Sequence, residues 1–523
     1  MSANLFDILT RSITDPGATA IETPSGERIS YTELTRRSGK MAHALTGLGV
    51  APGDRVAVQV EKSVEAIILY LATLRAGAVF LPLNTGYTPA EIAYFIGDAE
   101  PALFVCDPAR AGDLAAISDA AGARMVTLDA KGQGSLTEAA AAAPDDFATL
   151  PREADDLAAL LYTSGTTGRS KGAMLTHGNL ISNALSLREA WRFTAGDLLI
   201  HALPIFHTHG LFVATNVTLF SGASMILLPK FDPGSILGLM GRATVLMGVP
   251  TFYTRLLDEA GLNTATTANM RLFISGSAPL LAETHREWRA RTGHAILERY
   301  GMTETNMNTS NPYAGDRVAG TVGLPLPGTE VIVTDPETGA ELAQGEIGMI
   351  EVRGANVFRG YWRMPDKTAA ELRANGFFIT GDLGRIDDRG YVHIVGRGKD
   401  LIITGGYNVY PKEVEAVIDE IPGVLESAVI GVPHPDFGEA VTAIVVPTGT
   451  PALTESAVIA ALATQLARFK QPKRVVFVAE LPRNTMGKVQ KNLMREQYSW
   501  AAASDLNGSH ASGQTQSQTD EAP

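Results

Sequence analysis

Cysteine is nearly missing from this chain: its 523 residues contain one, Cys106. No internal disulfide can form, and no Cys/His cluster has zinc-ligand spacing. The neighbours in Leu103-Phe-Val-Cys106 read as a buried strand, so Cys106 is expected in the core rather than as a nucleophile. A basic excess is missing too. Fifty-six acidic against 43 basic residues give a net charge of −13, which argues against nucleic acid as the partner. The most apolar stretch, Ala66 to Leu83, is interrupted by Arg75, so no membrane span is expected. The start, Met1-Ser-Ala-Asn-Leu-Phe-Asp-Ile, has neither the basic opening nor the apolar run of a signal peptide, and Asp7 and Asp15 speak against a transit peptide. The expected location is the cytoplasm, with small molecules as partners and neither nucleic acid nor membrane among them. There is no internal repeat.

What is present is ordinary globular composition, 45% apolar and 19% charged, enough to bury a core. At about 150 residues per domain the length suggests three to four domains, or one large domain and a smaller one. Arg55-Val-Ala-Val-Gln-Val, Ala78-Val-Phe-Leu-Pro-Leu and Ala102-Leu-Phe-Val-Cys read as strands, and Val64 to Leu74 as a helix between the first two. Strands spaced by helices predict a layered α/β architecture with at least partly parallel sheets. After Gly396 the pattern changes. Pro411 opens a helix whose apolar face is Val414, Val417, Ile418 and Ile421. Strands at Ala428-Val-Ile-Gly-Val and Val441-Thr-Ala-Ile-Val-Val follow, then a helix marked by Val458, Leu462 and Leu466, then a strand at Val475-Val-Phe-Val. That is a compact α+β unit of domain size. Residues 501–523 are rich in Ser, Gln, Asn, Gly and Ala and are expected to form a disordered tail.

The most informative segment is Leu160-Leu-Tyr-Thr-Ser-Gly-Thr-Thr-Gly-Arg-Ser-Lys-Gly172. An apolar run leads into three glycines, three threonines, two serines, an arginine and a lysine, and a helix follows with Leu180, Ala184, Leu187 and Trp191 on one face. Glycine permits close backbone approach, so successive N–H groups can form an anion nest, to which the hydroxyls and Lys171 add donors and charge. A polyphosphate is the natural ligand. The loop is not a Walker A loop, because Ser170 stands where that motif needs glycine and Gly172 follows the lysine.

Tyr162-Thr-Ser-Gly-Thr-Thr-Gly-Arg-Ser-Lys-Gly resembles the AMP-binding signature of the acyl-adenylate-forming superfamily. Further motifs occur in that superfamily's order: Leu203-Pro-Ile-Phe-His-Thr-His-Gly, Ile274-Ser-Gly-Ser-Ala-Pro-Leu, Tyr300-Gly-Met-Thr-Glu-Thr, Thr380-Gly-Asp-Leu with Gly396-Arg-Gly-Lys-Asp, and Pro482-Arg-Asn-Thr-Met-Gly-Lys488. Glu298-Arg-Tyr-Gly-Met-Thr-Glu-Thr-Asn-Met-Asn-Thr and the His-Thr-His-Gly segment are most similar to malonyl-CoA synthetases. The resemblance implies a large N-terminal domain of layered sheets and helices (1–396), a hinge (397–400) at Lys399, and a small mobile α+β domain (401–500). It implies ATP, Mg²⁺ and coenzyme A as the reaction's companions. Malonate would become malonyl-CoA, with AMP and diphosphate released, through a malonyl-adenylate, and methylmalonate would give the corresponding methylmalonyl thioester; the alternative is another short or medium carboxylic acid.

By the same resemblance, Thr163, Ser164, Gly165, Thr166, Thr167, Gly168 and Lys171 cradle the phosphates. Thr303 and Glu304 anchor the metal. Ser277, Ala278 and Pro279, with Glu298, Arg299 and Tyr300, form the adenine slot, and Gly301 and Met302 complete the nucleotide contacts. Asp382 accepts from the ribose hydroxyls, and Arg397 contacts ribose or phosphate. Lys488 brings its charge to the reacting carboxylate during adenylation only, as a mobile point charge that arginine would replace poorly. Gly405, Gly406 and Tyr407 offer an edge for the pantetheine arm. Acetylation of Lys488 would remove its charge, so a lysine acetyltransferase and deacetylase enter as partners.

Malonate differs from a fatty acid by a second carboxylate, which needs a cation if buried, preferably arginine. Arg255, in Val249-Pro-Thr-Phe-Tyr-Thr-Arg-Leu, ranks first, with Ser277 as a second donor and Arg286 and Arg299 as runners-up. Thr208 and Met307 would bound the pocket at the α-carbon. His207 is expected at the reacting centre as a wall or gate rather than a metal ligand, since His207 and His209 lack a third ligand nearby. Two rival readings are an amino-acid adenylation domain, for which no acidic residue is placed to meet an amine, and a non-catalytic nucleotide- or CoA-binding protein, against which the intact Lys171, Glu304, Asp382, Arg397 and Lys488 argue.

Overall fold

The computed structural model describes residues 2–163, 170–404, 407–434, 438–449, 453–463, 465–484 and 487–499. They divide into two units, the first made of residues 1–334, 351–380 and 386–393 and the second of 335–350, 381–385 and 394–523. The second unit thus takes in two short segments before Ile394 as well. The tail, 501–523, lies outside the described residues. Among the described residues no helix is long and apolar enough to cross a membrane.

The first unit holds two large sheets. One runs in the order Leu324–Pro325, Asn306–Ser310, Leu297–Met302, Leu272–Ser275, Val245–Gly248, Leu198–His201, Ser224–Leu227, Thr19–Glu22 and Arg28–Ser30. Its central pairs are parallel and its edges antiparallel. The other runs Gly360–Tyr361, Lys171–Thr176, Leu157–Thr163, Val79–Pro82, Arg55–Gln59, Leu103–Cys106 and Arg124–Thr127. The parallel strands read as unbroken apolar runs because both faces are covered; Val79–Pro82 and Leu103–Cys106 are buried at every position. Cys106 sits in that core, and burial pushes its thiol up to about 11.

Strand ends supply the site. The helix expected after the glycine-rich loop is present at His177–Ala190, with Thr176 and Asn179 capping each other. A strand, Lys171–Thr176, intervenes and pairs antiparallel with Leu157–Thr163, placing Thr163 opposite Lys171. Its Lys-Gly-Ala-Met-Leu-Thr sequence alternates poorly, which is why periodicity missed it.

The second unit is an antiparallel pair, Val424–His434 and Gly438–Pro447, extended by Ile402–Thr404 and Tyr407–Val409 and by the parallel strand Arg474–Phe477. Alternate residues feed two cores: Val429, Val441, Ala443 and Val445 meet Val414, Ile418, Val458 and Leu462 on one face, while Ala428, Ile430, Val432 and Ile444 meet Leu481 and Met494 on the other. The helix marked by Val458 ends at Leu462; Leu466 joins the core from the turn beyond it.

Candidate active site

Residues 164–169, with Ser164, Gly165, Thr166, Thr167 and Gly168, lie outside the described residues, but the strands on either side fix Thr163 and Lys171. The Thr163 hydroxyl faces Glu304 Oε1 at 3.5 Å. Lys171 Nζ lies 3.1 Å from Glu371 Oε2 and 4.1 Å from the centre of the Tyr361 ring. The Tyr361 hydroxyl is 3.1 Å from Glu304 Oε1. Glu304 is buried and its main-chain carbonyl accepts from Phe358 N–H at 2.7 Å. Among the described residues no three His, Cys, Asp or Glu side chains cluster to hold a metal. A single anchoring carboxylate is nevertheless the usual protein share of a Mg²⁺ site completed by phosphates and water, so Glu304 fits that role. Thr303, half-buried, lines a cavity of ≈ 20 Å³ with Tyr162, Phe206 and His207, room for about one water.

A second cluster, at the residues expected on the acyl side, is built on three strands. After Leu198–His201 the chain turns through Phe206, His207 and Thr208 into a π-helix, His209–Thr215. Gly210 permits that turn, since a Cβ there would lie 2.0 Å from the Pro204 carbonyl oxygen. After Leu272–Ser275 comes Ser277, whose φ of 74° is left-handed, a conformation few non-glycine residues adopt. Its hydroxyl lies 3.3 Å from His209 Nδ1. From Leu297–Met302 comes Arg299, 3% exposed. Its guanidinium lies flat on Gly276, where a Cβ would be 2.5 Å from its central carbon.

Arg299 Nε and one terminal nitrogen, Nη2, make no hydrogen bond, nor do His209 Nε2 and Thr208 Oγ1. Burial pulls the guanidinium down to about 9. His209 is held well below the ordinary histidine range, first by burial and then by the positive charge of Arg299; it is neutral. Met307 is buried in Asn306–Ser310 opposite Gly301. Arg255, ranked first from sequence, lies exposed on the helix Pro250–Leu257 with its guanidinium 6.0 Å from the Phe231 ring. Arg286 is exposed as well. Glu298 is buried and accepts from Leu280 N–H at 3.2 Å. Ala278 and Tyr300 are half-buried and Pro279 exposed.

In the second unit, Asp382 is buried and pairs with Arg397 at 2.8 Å, so two expected ribose ligands meet each other. Lys399 is exposed on the turn Gly398–Asp400, next to the Asp400–Arg495 pair at 2.7 Å. Tyr407 stacks on Phe469 with centres 4.8 Å apart; Gly405 and Gly406 lie outside the described residues. Lys488 is exposed on a tight reversal in which Asn484 N–H donates to the Lys488 carbonyl and Lys488 N–H to Asn484 Oδ1.

The pattern of AMP-binding enzymes matches residues 10–362, and that of their C-terminal domain residues 413–488. The chain belongs to the AMP-binding enzyme family. Among solved structures it is similar to ATP-bound MatB from Rhodopseudomonas palustris, with 66% identity and a TM-score of 0.95 over 96% of this chain and 100% of that one. Among curated relatives, a malonate–CoA ligase of Arabidopsis thaliana is 35% identical over 91% of this chain and 83% of its own length. A feruloyl-CoA synthase of an Amycolatopsis species is 36% identical over 93% and 97%. Sequence reasoning about this AMP-binding enzyme missed His209, Tyr361 and Glu371 as neighbours of the site. His209 stood inside a quoted motif but was weighed only as a metal ligand. Tyr361 and Glu371 lie far along the chain from Lys171 and carry no local signal.

Proposed function

We propose that this AMP-binding enzyme is an ATP-dependent acid–CoA ligase acting on malonate, and on methylmalonate, in the cytoplasm. The observation that carries the reading is Arg299: a buried guanidinium with two nitrogens lacking hydrogen bonds, beside the Ser277 hydroxyl and a neutral histidine. A buried cation without a counter-ion is costly. A substrate with a second carboxylate supplies one, and a monocarboxylic acid does not. The distal carboxylate is therefore assigned to Arg299 and Ser277 rather than to the exposed Arg255, with Thr208 and Met307 at the α-carbon.

The chemistry joins two anions, so the first half-reaction needs positive charge where they converge. The malonate carboxylate attacks the α-phosphorus of ATP and pyrophosphate leaves; the coenzyme A thiolate then displaces AMP from malonyl-adenylate. Lys171 and Thr163 bind the triphosphate, and Glu304 with Thr303 would hold Mg²⁺. That ion, when bound, offsets phosphate charge. Ser277, Ala278, Pro279, Glu298, Tyr300, Gly301 and Met302 bound the adenine, and Asp382 and Arg397 take the ribose and phosphate. Lys488 supplies its ammonium to the reacting carboxylate, His207 walls the centre from water, and Gly405, Gly406 and Tyr407 guide the pantetheine arm. Lys399 is the hinge of a C-terminal domain that turns between half-reactions. Exposure of the Lys488 side chain makes it available to an acetyltransferase. The test is CoA-dependent AMP release across acetate, malonate, methylmalonate, succinate, ferulate and octanoate. Malonate is expected to lead; a lead by ferulate or octanoate removes the second-carboxylate argument.

A further inference from the structure

Glu371 ends the short helix Pro365–Glu371 and no step of the reaction requires it, yet it sits at the phosphate end with three hydrogen-bonding partners. Lys171 Nζ approaches its two oxygens at 3.1 and 3.3 Å. The Tyr361 hydroxyl donates to Oε2 at 2.6 Å. Lys367 reaches Oε1 at 2.8 Å. Burial alone would raise this carboxyl, but the bonds from Lys367, Tyr361 and Lys171 outweigh it and hold the group below the ordinary glutamate range. It is therefore an anion at neutral pH, in contact with the one described lysine of the phosphate segment.

The pairing is half-buried, with the Lys171 and Glu371 side chains 16% and 23% exposed, so it is screened less than a surface pair. A phenol carries one proton. The Tyr361 hydroxyl cannot serve Glu371 and Glu304 together, and the shorter contact gives the proton to Glu371. When Lys171 leaves, Glu371 still keeps Tyr361 and Lys367, so it is never stranded as an unpaired carboxylate. An ion pair that can open on those terms exchanges one anion for another.

We propose that Glu371 is a resident stand-in for the nucleotide's phosphates: it holds Lys171 while the site is empty, yields it to ATP, and reclaims it as pyrophosphate departs. This rests on the reading that phosphates bind against Lys171. Glu371 is then a positioning residue that sets nucleotide affinity from outside the reacting atoms.

The test is calorimetric binding of pyrophosphate and of ATP to the full chain in magnesium-free buffer, so that Glu304 and its metal do not enter. Glu371→Gln keeps the size and the Tyr361 hydrogen bond but removes the competing charge. Both ligands are expected to bind about five-fold tighter, and pyrophosphate to become a stronger product inhibitor by the same factor, the value of roughly 1 kcal/mol of ion pairing. Tyr361→Phe removes the proton that shares Glu371 with Lys171, so the lysine is held harder and both ligands bind about three-fold weaker. Glu371→Asp should return toward wild type. Opposite signs in the two variants are the signature, because a site merely loosened would weaken both. Unchanged or weaker binding in Glu371→Gln overturns the inference. If the wild-type chain binds neither ligand, the proposed function fails and this inference falls with it; if it binds them and the variants do not diverge, the inference alone fails.

Discussion

Lys171, at the proposed phosphate end, has a carboxylate 3.1 Å away and a phenol ring beneath it, whereas Arg299, at the proposed acyl end, is buried with two nitrogens unbonded and a neutral histidine for a neighbour. Lys62, also buried, likewise has a histidine for a neighbour: among the described residues its side-chain nitrogen meets His201, at Nδ1 (2.9 Å) and the carbonyl (2.7 Å). The two ends thus treat positive charge in opposite ways. Phosphates are strong, multiply charged ligands and can take a cation from a resident competitor. A single carboxylate brings less, and on the proposed reading the pocket that would receive it keeps its cation unneutralised in advance. Such a cation also excludes acids that would leave it bare.

Removing Arg299 should break the comparison most sharply. Arg299→Leu is expected to lower kcat/KM for malonate by about two to three and a half decades, from the roughly 3–5 kcal/mol of a stripped buried pair at about 1.36 kcal/mol per decade. Acetate turnover should persist, and melting temperature should hold or rise because an unpaired charge has left the interior. Arg255→Leu is the control; a fall in the malonate-to-acetate ratio there, with none in Arg299→Leu, returns the role to the exposed arginine.

An exposed cation supplies a third case. Lys488→Ala should slow malonyl-adenylate formation by about 10²–10³ while sparing thioester formation from supplied malonyl-adenylate. Equal loss in both half-reactions would make Lys488 structural.

Ser277→Gly removes one donor to the distal carboxylate and relieves a left-handed residue. A fall of about ten-fold in malonate kcat/KM, the worth of a hydrogen bond to charge, is expected with unchanged or slightly higher stability. A clear drop in melting temperature would show that the hydroxyl serves the fold.

Acid acts on stability through the buried histidines. His201 and His209 are held well below the ordinary histidine range by burial, as is His177, at about 4. Their folded values lie below the unfolded value of 6.5, so the unfolded chain binds more protons and stability falls as pH drops below about 6.5. His177 alone accounts for about 1 kcal/mol between pH 7 and 5.5. Denaturant titrations should show this slope, and His177→Gln should reduce it by that share while His201 and His209 keep the rest; a flat wild-type profile from pH 7 to 5.5 contradicts the assignment of neutral buried histidines.

Much of this was readable in advance, and for identifiable reasons. Arg55–Gln59, Leu103–Cys106 and the Pro411 helix announce themselves through period, apolar runs and a helix-opening proline. The Asn484 reversal follows from turn chemistry and Gly487, whose φ is 74°. Burial of individual polar residues was not readable. Arg255 and Arg299 both stand in partly apolar surroundings in the sequence, and only the close approach of Gly276 to the guanidinium and the adjacent strand make one of them interior. The link from Lys171 to Glu371 spans a sequence distance across which local pattern says nothing, and only the Gly360–Tyr361 strand pairing with Ala173 and Met174 brings it about.

The π-helical turn at His209–Thr215 carries a consequence for engineering. A π-turn holds one more residue than an α-turn. Deleting a single residue there would restore ordinary helical winding and swing the preceding side chains by about 100°. The residue facing Ser277 would then change identity in one step, without any substitution in the pocket wall. Pocket shape in this enzyme can therefore be redrawn by counting residues as well as by choosing them.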